Sequence, residues 1–205
     1  MIKLLKSLCE QFDIFLNDSQ LQKFDIYYRF LVEYNKNVNL TSITDKYEVA
    51  TKHFLDSIII SKYINFKGKL IDIGTGAGFP GVPLKIVYDD LDVTLLDSSI
   101  KKIKFLEILA SKLNLNVELI HSRTEEVDKK YLNAFDLSIA RAVAPMKRLY
   151  GYCIPFLKKG GKFIAMKGPS CESELSDLDE KYKKNMRIYK FSYLEFSRVV
   201  VEYTL

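Results

Sequence analysis

Cysteine and histidine are both scarce in this chain, which has three cysteines (Cys9, Cys153, Cys171) and two histidines (His53, His121) in 205 residues. The cysteines are scattered, odd in number and not spaced as pairs. That excludes a disulfide framework and points to a reducing, cytoplasmic setting. With no cluster of ligand side chains, no metal site is expected. No apolar run approaches the ~20 residues of a membrane-spanning helix, and Ser57-Ile58-Ile59-Ile60-Ser61 is far too short, so no membrane association is expected. The N-terminal Met1-Ile2-Lys3-Leu4-Leu5-Lys6 is broken by charge and lacks a small-residue cleavage site, so no signal peptide is expected. Internal repeats, low-complexity stretches and linkers are also missing.

What remains is an ordinary globular composition, with 48% hydrophobic residues, 28% charged residues and a net charge of +5. The length fits one α/β unit with a short extension. The mild positive charge permits a polyanionic partner such as RNA without requiring one.

Along the chain, apolar spacing near 3.6 predicts a helical cap over residues 1–65. Leu5, Leu8, Phe12, Phe15 and Leu16 would line a first helix. Asp18 or Ser19 would cap a second, with Leu21, Phe24, Tyr28, Leu31 and Val32 as its stripe. Asn35-Lys36-Asn37-Val38-Asn39 interrupts the pattern, and a third helix starts near Thr44-Asp45. Residues 66–205 then alternate strands and helices, the pattern of a mostly parallel sheet covered on both faces. Strands are expected at Lys69–Ile73, Val93–Leu96, Val117–Ile120, Phe135–Ile139 and Lys162–Met166. Helices are expected at Pro83–Val87, Ser99–Leu113, Pro145–Leu157 and about Ser173–Lys183. Ile188–Tyr193 and Val199–Thr204 read as a closing antiparallel pair.

The most informative run is Asp72-Ile73-Gly74-Thr75-Gly76-Ala77-Gly78-Phe79-Pro80-Gly81. An apolar strand there turns into a glycine-rich loop and then a helix, and glycine is needed where backbone must turn tightly and approach a ligand. A dinucleotide fingerprint places glycines first, third and sixth. Here Gly74, Gly76 and Gly78 fall first, third and fifth, with Phe79 sixth. This spacing resembles the S-adenosylmethionine loop of Rossmann-like class I methyltransferases. Asp97 ends the next strand, close to the ~20-residue offset at which a carboxylate meets a ribose diol. It would alternatively cap the helix beginning at Ser98-Ser99. Thr124 and Glu125 follow the third strand, where an adenine would lie. Asp72 would sit near a ligand ammonium, since a buried lone carboxylate needs a partner.

A longer pattern comprises Asn39-Leu40-Thr41, His53-Phe54-Leu55-Asp56-Ser57, the glycine loop extended through Val82-Pro83-Leu84, Leu95-Leu96-Asp97-Ser98, Ala140-Arg141-Ala142 and Lys167-Gly168. Together these resemble the bacterial 16S ribosomal RNA guanine-N7 methyltransferases, also called glucose-inhibited division protein B, from about Asn35 onward. The resemblance implies methyl transfer from S-adenosylmethionine to N7 of a guanine in 16S ribosomal RNA; the expected partner is 16S ribosomal RNA or the 30S subunit, and the chain is expected to act as a monomer. It also implies that Gly74, Phe79, Thr124, Glu125 and Arg141 touch the cofactor. A methyltransferase acting on another RNA or on a small molecule is the alternative.

Guanine N7 has an in-plane lone pair and no proton to remove, so positioning suffices and no general base is required. Two absences agree with this. An Asn/Asp-Pro-Pro-aromatic motif, typical of exocyclic amine methylation, is replaced by Ser138-Ile139-Ala140-Arg141-Ala142, and no cysteine is placed as a nucleophile. Arg141, at the end of the fourth strand, is the first candidate for a group acting on substrate or cofactor, since its fork of donors suits guanine O6, phosphate or carboxylate. An ion pair with a nearby acid is its other reading. Lys101, Lys102, Arg123 and Lys167 are candidates for the RNA backbone. His53 and Asp56, about one helical turn apart, read as a structural pair fixing the cap against the glycine loop. A nicotinamide oxidoreductase is disfavoured by Phe79 and by the missing Tyr-x-x-x-Lys pair. A phosphate-binding NTPase is excluded because no Gly-Lys-Ser/Thr follows the loop.

Overall fold

The computed structural model describes residues 1–205. Seven strands form one sheet in the order β3-β2-β1-β4-β5-β7-β6. They are β1 (Lys69–Ile73), β2 (Asp92–Asp97), β3 (Val117–His121), β4 (Phe135–Arg141), β5 (Leu157–Lys167), β6 (Met186–Tyr193) and β7 (Phe196–Thr204). The first five pair in parallel, and β7 inserts antiparallel between β5 and β6. The expected mostly parallel sheet with an antiparallel C-terminal pair is what forms.

The helices are α1 (Ile2–Glu10), α2 (Asp18–Asn35), α3 (Lys46–Glu48), α4 (Asp56–Ile59), α5 (Gly81–Val87), α6 (Ile100–Leu113), α7 (Met146–Cys153), α8 (Cys171–Ser176) and α9 (Glu180–Lys183). A π-helical segment, Val49–Leu55, joins α3 to α4. Side chains alternate across β1. Leu70 joins a cluster shared with Leu5, Phe24, Phe54 and Leu106, while Ile71 and Ile73 face Leu149 and Phe163 on the other side. The N-terminal helices and one face of the sheet therefore share a single core.

Several boundaries differ from the sequence expectation for local reasons. Asn17, rather than Asp18 or Ser19, caps α2, in a reciprocal box with Gln20. Helix α1 stops at Glu10, leaving Phe15 76% exposed rather than on a buried face. Helix α7 ends at Cys153, because Pro155 has no N–H to continue it, and a 3-10 turn follows. Strand β5 already begins at Leu157, and its register against β4 shifts between Phe135 and Leu137. Gly160 there has φ +78°, and a Cβ on Gly161 would lie 2.9 Å from the Lys158 carbonyl oxygen. The expected helix over 173–183 is two short helices separated at Asp177–Asp179.

Candidate functional site

In this strand order the chain leaves β1 toward β2 and β3 on one side and returns to β4 and β5 on the other. The carboxyl ends of β1 and β4 consequently flank a crevice, the usual ligand position in open parallel sheets. A cleft of about 390 Å³ opens there, within the roughly 300–1,000 Å³ range of small-molecule sites. Its walls come from Ile73-Gly74 after β1, Leu96-Asp97-Ser98 after β2, Ser122 to Glu125 after β3, Ala142-Val143 after β4, and Lys102 and Tyr152.

Asp97 organises this cleft. Its Oδ2 accepts from the Gly76 N–H at 2.9 Å and lies 3.3 Å from Lys102 Nζ, while Oδ1 accepts from the Ser99 N–H at 2.9 Å. Asp97 thus lines the cleft while its carboxylate holds the N–H of Ser99, the residue that precedes α6. Gly74 has φ +67°, and a Cβ on it would lie 2.8 Å from Val143 Cγ2. Ala142 takes a positive φ of 55° at the same wall, an unusual conformation for a residue with a Cβ and one found at ligand sites.

Asp72 is placed differently from the expectation. It is fully buried on the cap side of β1, under the glycine loop. Its Oδ2 accepts from Thr75 Oγ1 at 2.7 Å and from the Gly81 N–H at 2.8 Å, and Oδ1 has no partner. Burial pushes its carboxyl up to about 6. The residue holds the loop's two ends together and does not line the cleft.

Gly78 and Phe79, expected at the cofactor, pack the loop against the N-terminal helices. Phe79 is buried in a stack with Tyr27 (5.2 Å, 8° between planes) and His53 (4.4 Å, 23°), and the Arg141 guanidinium lies 5.2 Å from its centroid. A Cβ on Gly78 would meet Tyr27 Oη at 2.7 Å. The Tyr27 hydroxyl donates to the Ala77 carbonyl at 2.5 Å. Each aromatic pair contributes about 0.5–1.5 kcal/mol beyond area burial. The stack fastens the loop to the cap, so Phe79 shapes the cleft from beneath.

Arg141 turns toward the cap instead of the cleft. Its Nη1 donates to the Lys52 carbonyl at 3.0 Å and to Asp56 Oδ2 at 3.1 Å, and Nη2 sits 3.3 Å from His53 Nδ1. The ion-pair reading describes this geometry. His53 and Asp56 meet through Arg141 rather than each other, and His53 Nε2 contacts Thr41 Oγ1 at 3.0 Å. Burial, reinforced by the Arg141 charge, lowers the imidazole to about 4, so it is neutral at neutral pH. Asp56 Oδ1 also accepts from the Tyr193 hydroxyl at 2.6 Å and from Arg198 Nε at 2.7 Å.

Among the RNA candidates, Lys102 and Arg123 stand at the cleft itself, with Thr124 and Glu125. Lys101 is exposed on the first turn of α6. Lys167 pairs with Glu174 at 2.7 Å and donates to the Ala144 carbonyl at 2.9 Å, which ties α8 to the turn after β4. Its ammonium is engaged by Glu174 and Ala144. Sequence reasoning missed Ala142, Val143 and Tyr152. The first two follow a strand end at the switch point and were findable on that ground, whereas Tyr152 carries no local signal.

The sheet order and this cleft define a Rossmann-like methyltransferase fold. It superposes on a SAM-dependent methyltransferase from Aquifex aeolicus with a TM-score of 0.58 at 18% identity, covering 82% of this chain and 97% of that one. A SAM-dependent O-methyltransferase from Thermotoga maritima gives 0.59 at 18%, covering 85% and 70%. More specifically, the chain belongs to the GidB family, rRNA small subunit methyltransferase G, whose profile matches residues 20–197. It is 47% identical over 188 residues to the ribosomal RNA small subunit methyltransferase G of Thermoanaerobacter sp. (strain X514), covering 89% of this chain and 78% of the relative. With the protein of that name from Staphylococcus epidermidis it shares 48% over 178 residues, covering 85% and 74%.

Proposed function

We propose that this protein transfers a methyl group from S-adenosylmethionine to N7 of a guanine in 16S ribosomal RNA of the small subunit, in the cytoplasm. The observation that carries the reading is the Asp97-centred cleft at the switch point of a chain belonging to this family. The residues present fit the cofactor. Asp97 holds a carboxylate at the end of β2, where it can accept from a ribose diol. Gly74 admits no side chain beside Val143, and Thr124 and Glu125 flank the far wall. Gly74, Asp97, Thr124 and Glu125 would hold the cofactor directly, with Gly76 fixed by its bond to Asp97. Asp72, Gly78, Phe79 and Arg141 would support it by holding the loop and the β4 end.

S-adenosylmethionine held by Gly74, Asp97, Thr124 and Glu125 would supply a methyl group on a sulfonium, the electrophile that the N7 lone pair requires. Because N7 carries no proton, the protein need only position the base, and no general base is required. Lys102 is neutralised by Asp97, which keeps an unpaired ammonium away from a product guanine that is itself cationic. The test is transfer of labelled methyl to purified 30S and 50S subunits from cells lacking the modification. Label in 30S RNA alone is expected, and label in 50S RNA or in neither overturns the reading.

A further inference from the structure

The cofactor cleft uses only one half of the carboxyl edge, that of β1, β2, β3 and the turn after β4. On the other half, the end of β4 and the facing end of the β6–β7 hairpin carry a second feature, on the cap side of the sheet. Arg141 and Arg198 both bind one buried carboxylate, Asp56. Beside them, the half-buried Phe196 ring has Lys52 Nζ 5.7 Å from its centroid and the Arg198 guanidinium also at 5.7 Å. Lys52 is paired with Glu48 at 2.5 Å, and His53 is neutral. Three cations, Arg141, Arg198 and Lys52, thus gather around Asp56 and Glu48, with the buried Asp72 carboxylate also acting on Arg141. Arg198 uses Nε on Asp56 and Nη1 on the Ser197 carbonyl, so Nη2 has no protein acceptor.

A guanidinium with a free Nη2 beside an aromatic ring is the chemistry that binds single-stranded nucleic acid, with the ring stacking a base and the cations meeting phosphate. The reaction asks for such a surface. In paired A-form RNA the major groove, where N7 lies, is deep and narrow, so side chains reach bases chiefly in unpaired segments. Arg141 connects the two halves, since it binds Asp56 while Ala142 and Val143, the next residues, wall the cofactor cleft.

We propose that Phe196, flanked by Arg198 and Lys52, seats an unpaired nucleotide of the RNA strand next to the methylated guanine: Phe196 stacks its base, and the two cations hold its phosphate. This rests on the ribosomal RNA methyltransferase reading. The test uses the full chain with unmethylated 30S subunits, measuring KM for 30S and separately the affinity for S-adenosylmethionine. Because Arg198 also supports Asp56, Phe196→Ala and Lys52→Gln carry the test. Phe196→Ala should raise KM for 30S about tenfold or more while cofactor affinity stays within about twofold, and Phe196→Tyr should restore it. Lys52→Gln should reduce the dependence of log KM on log salt by about one phosphate contact. Unchanged KM and salt slope in an active enzyme overturn the proposal, as does a parallel loss of cofactor affinity, which would assign the ring to the cofactor site. An unvaried protein that binds cofactor but methylates no 30S RNA would refute the functional reading itself, and this proposal with it.

Discussion

His53 and Asp72 titrate in opposite senses on the two sides of the glycine loop. His53 has its folded pKa depressed to about 4 by burial and by Arg141, against about 6.5 unfolded. Between those values the unfolded chain binds more protons, so its contribution is complete above about pH 6.5 and is lost as pH falls toward 4. Asp72 has its folded pKa raised to about 6 by burial. Its contribution is present below about pH 3.9 and is lost as pH rises through 6. The two oppose one another between pH 4 and 6, so a single substitution should unmask the remaining group. His53→Gln removes the acid-side loss. The stability gap between wild type and this variant, read from urea melts, should therefore narrow as pH drops from 7 to 5. A gap that stays constant would mean His53 keeps its ordinary pKa in the folded protein.

Among the elements, the contact that couples the cap to the C-terminal hairpin is Asp56. It binds Arg141 from the end of β4 and Tyr193 and Arg198 from β6 and β7. Burial and the adjacent carboxylate keep the Tyr193 hydroxyl protonated, with its pKa pushed upward, so it remains a donor. Removing the acid leaves two partly buried guanidiniums facing each other. Asp56→Ala should cost about 3–5 kcal/mol in denaturant melts, the usual loss when one partner of a buried ion pair is deleted. A loss below about 1 kcal/mol would show that the hairpin docks without this contact. The π-helical segment Val49–Leu55 takes part in the same junction, since the Lys52 carbonyl accepts from Arg141. Such segments often mark functional positions within helices.

Over the whole molecule, the sheet was readable because β-branched runs such as Leu70-Ile71-Asp72-Ile73 and Val93-Thr94-Leu95-Leu96 are bounded by glycine, aspartate and serine turns. The stretch after residue 145 was less so. Helix α7 ends at Cys153 and β5 starts at Leu157, with Pro155 between them and Gly160-Gly161 inside the strand, too short a distance for periodicity to resolve. At the site, Gly74, Asp97, Thr124 and Glu125 were legible from their spacing after strand ends. The protein partners of Phe79 and Arg141 were not legible, because they lie far away in sequence. His53 and Asp56 precede Arg141 by 88 and 85 residues, and Arg198 reaches Asp56 across 142. The pairing of Lys102 with Asp97 was not legible either, because it depends on how the chain turns between β2 and α6.

The central claim is a base-specific reaction, and nucleoside analysis tests it most directly. Unmethylated 30S subunits would be incubated with the protein and methyl-labelled S-adenosylmethionine, and the 16S RNA digested to nucleosides. Label recovered as N7-methylguanosine is the predicted result. Label on an exocyclic amine, a ribose hydroxyl or a pyrimidine carbon would contradict the account, which assigns the methyl group to the one position among these whose attack releases no proton.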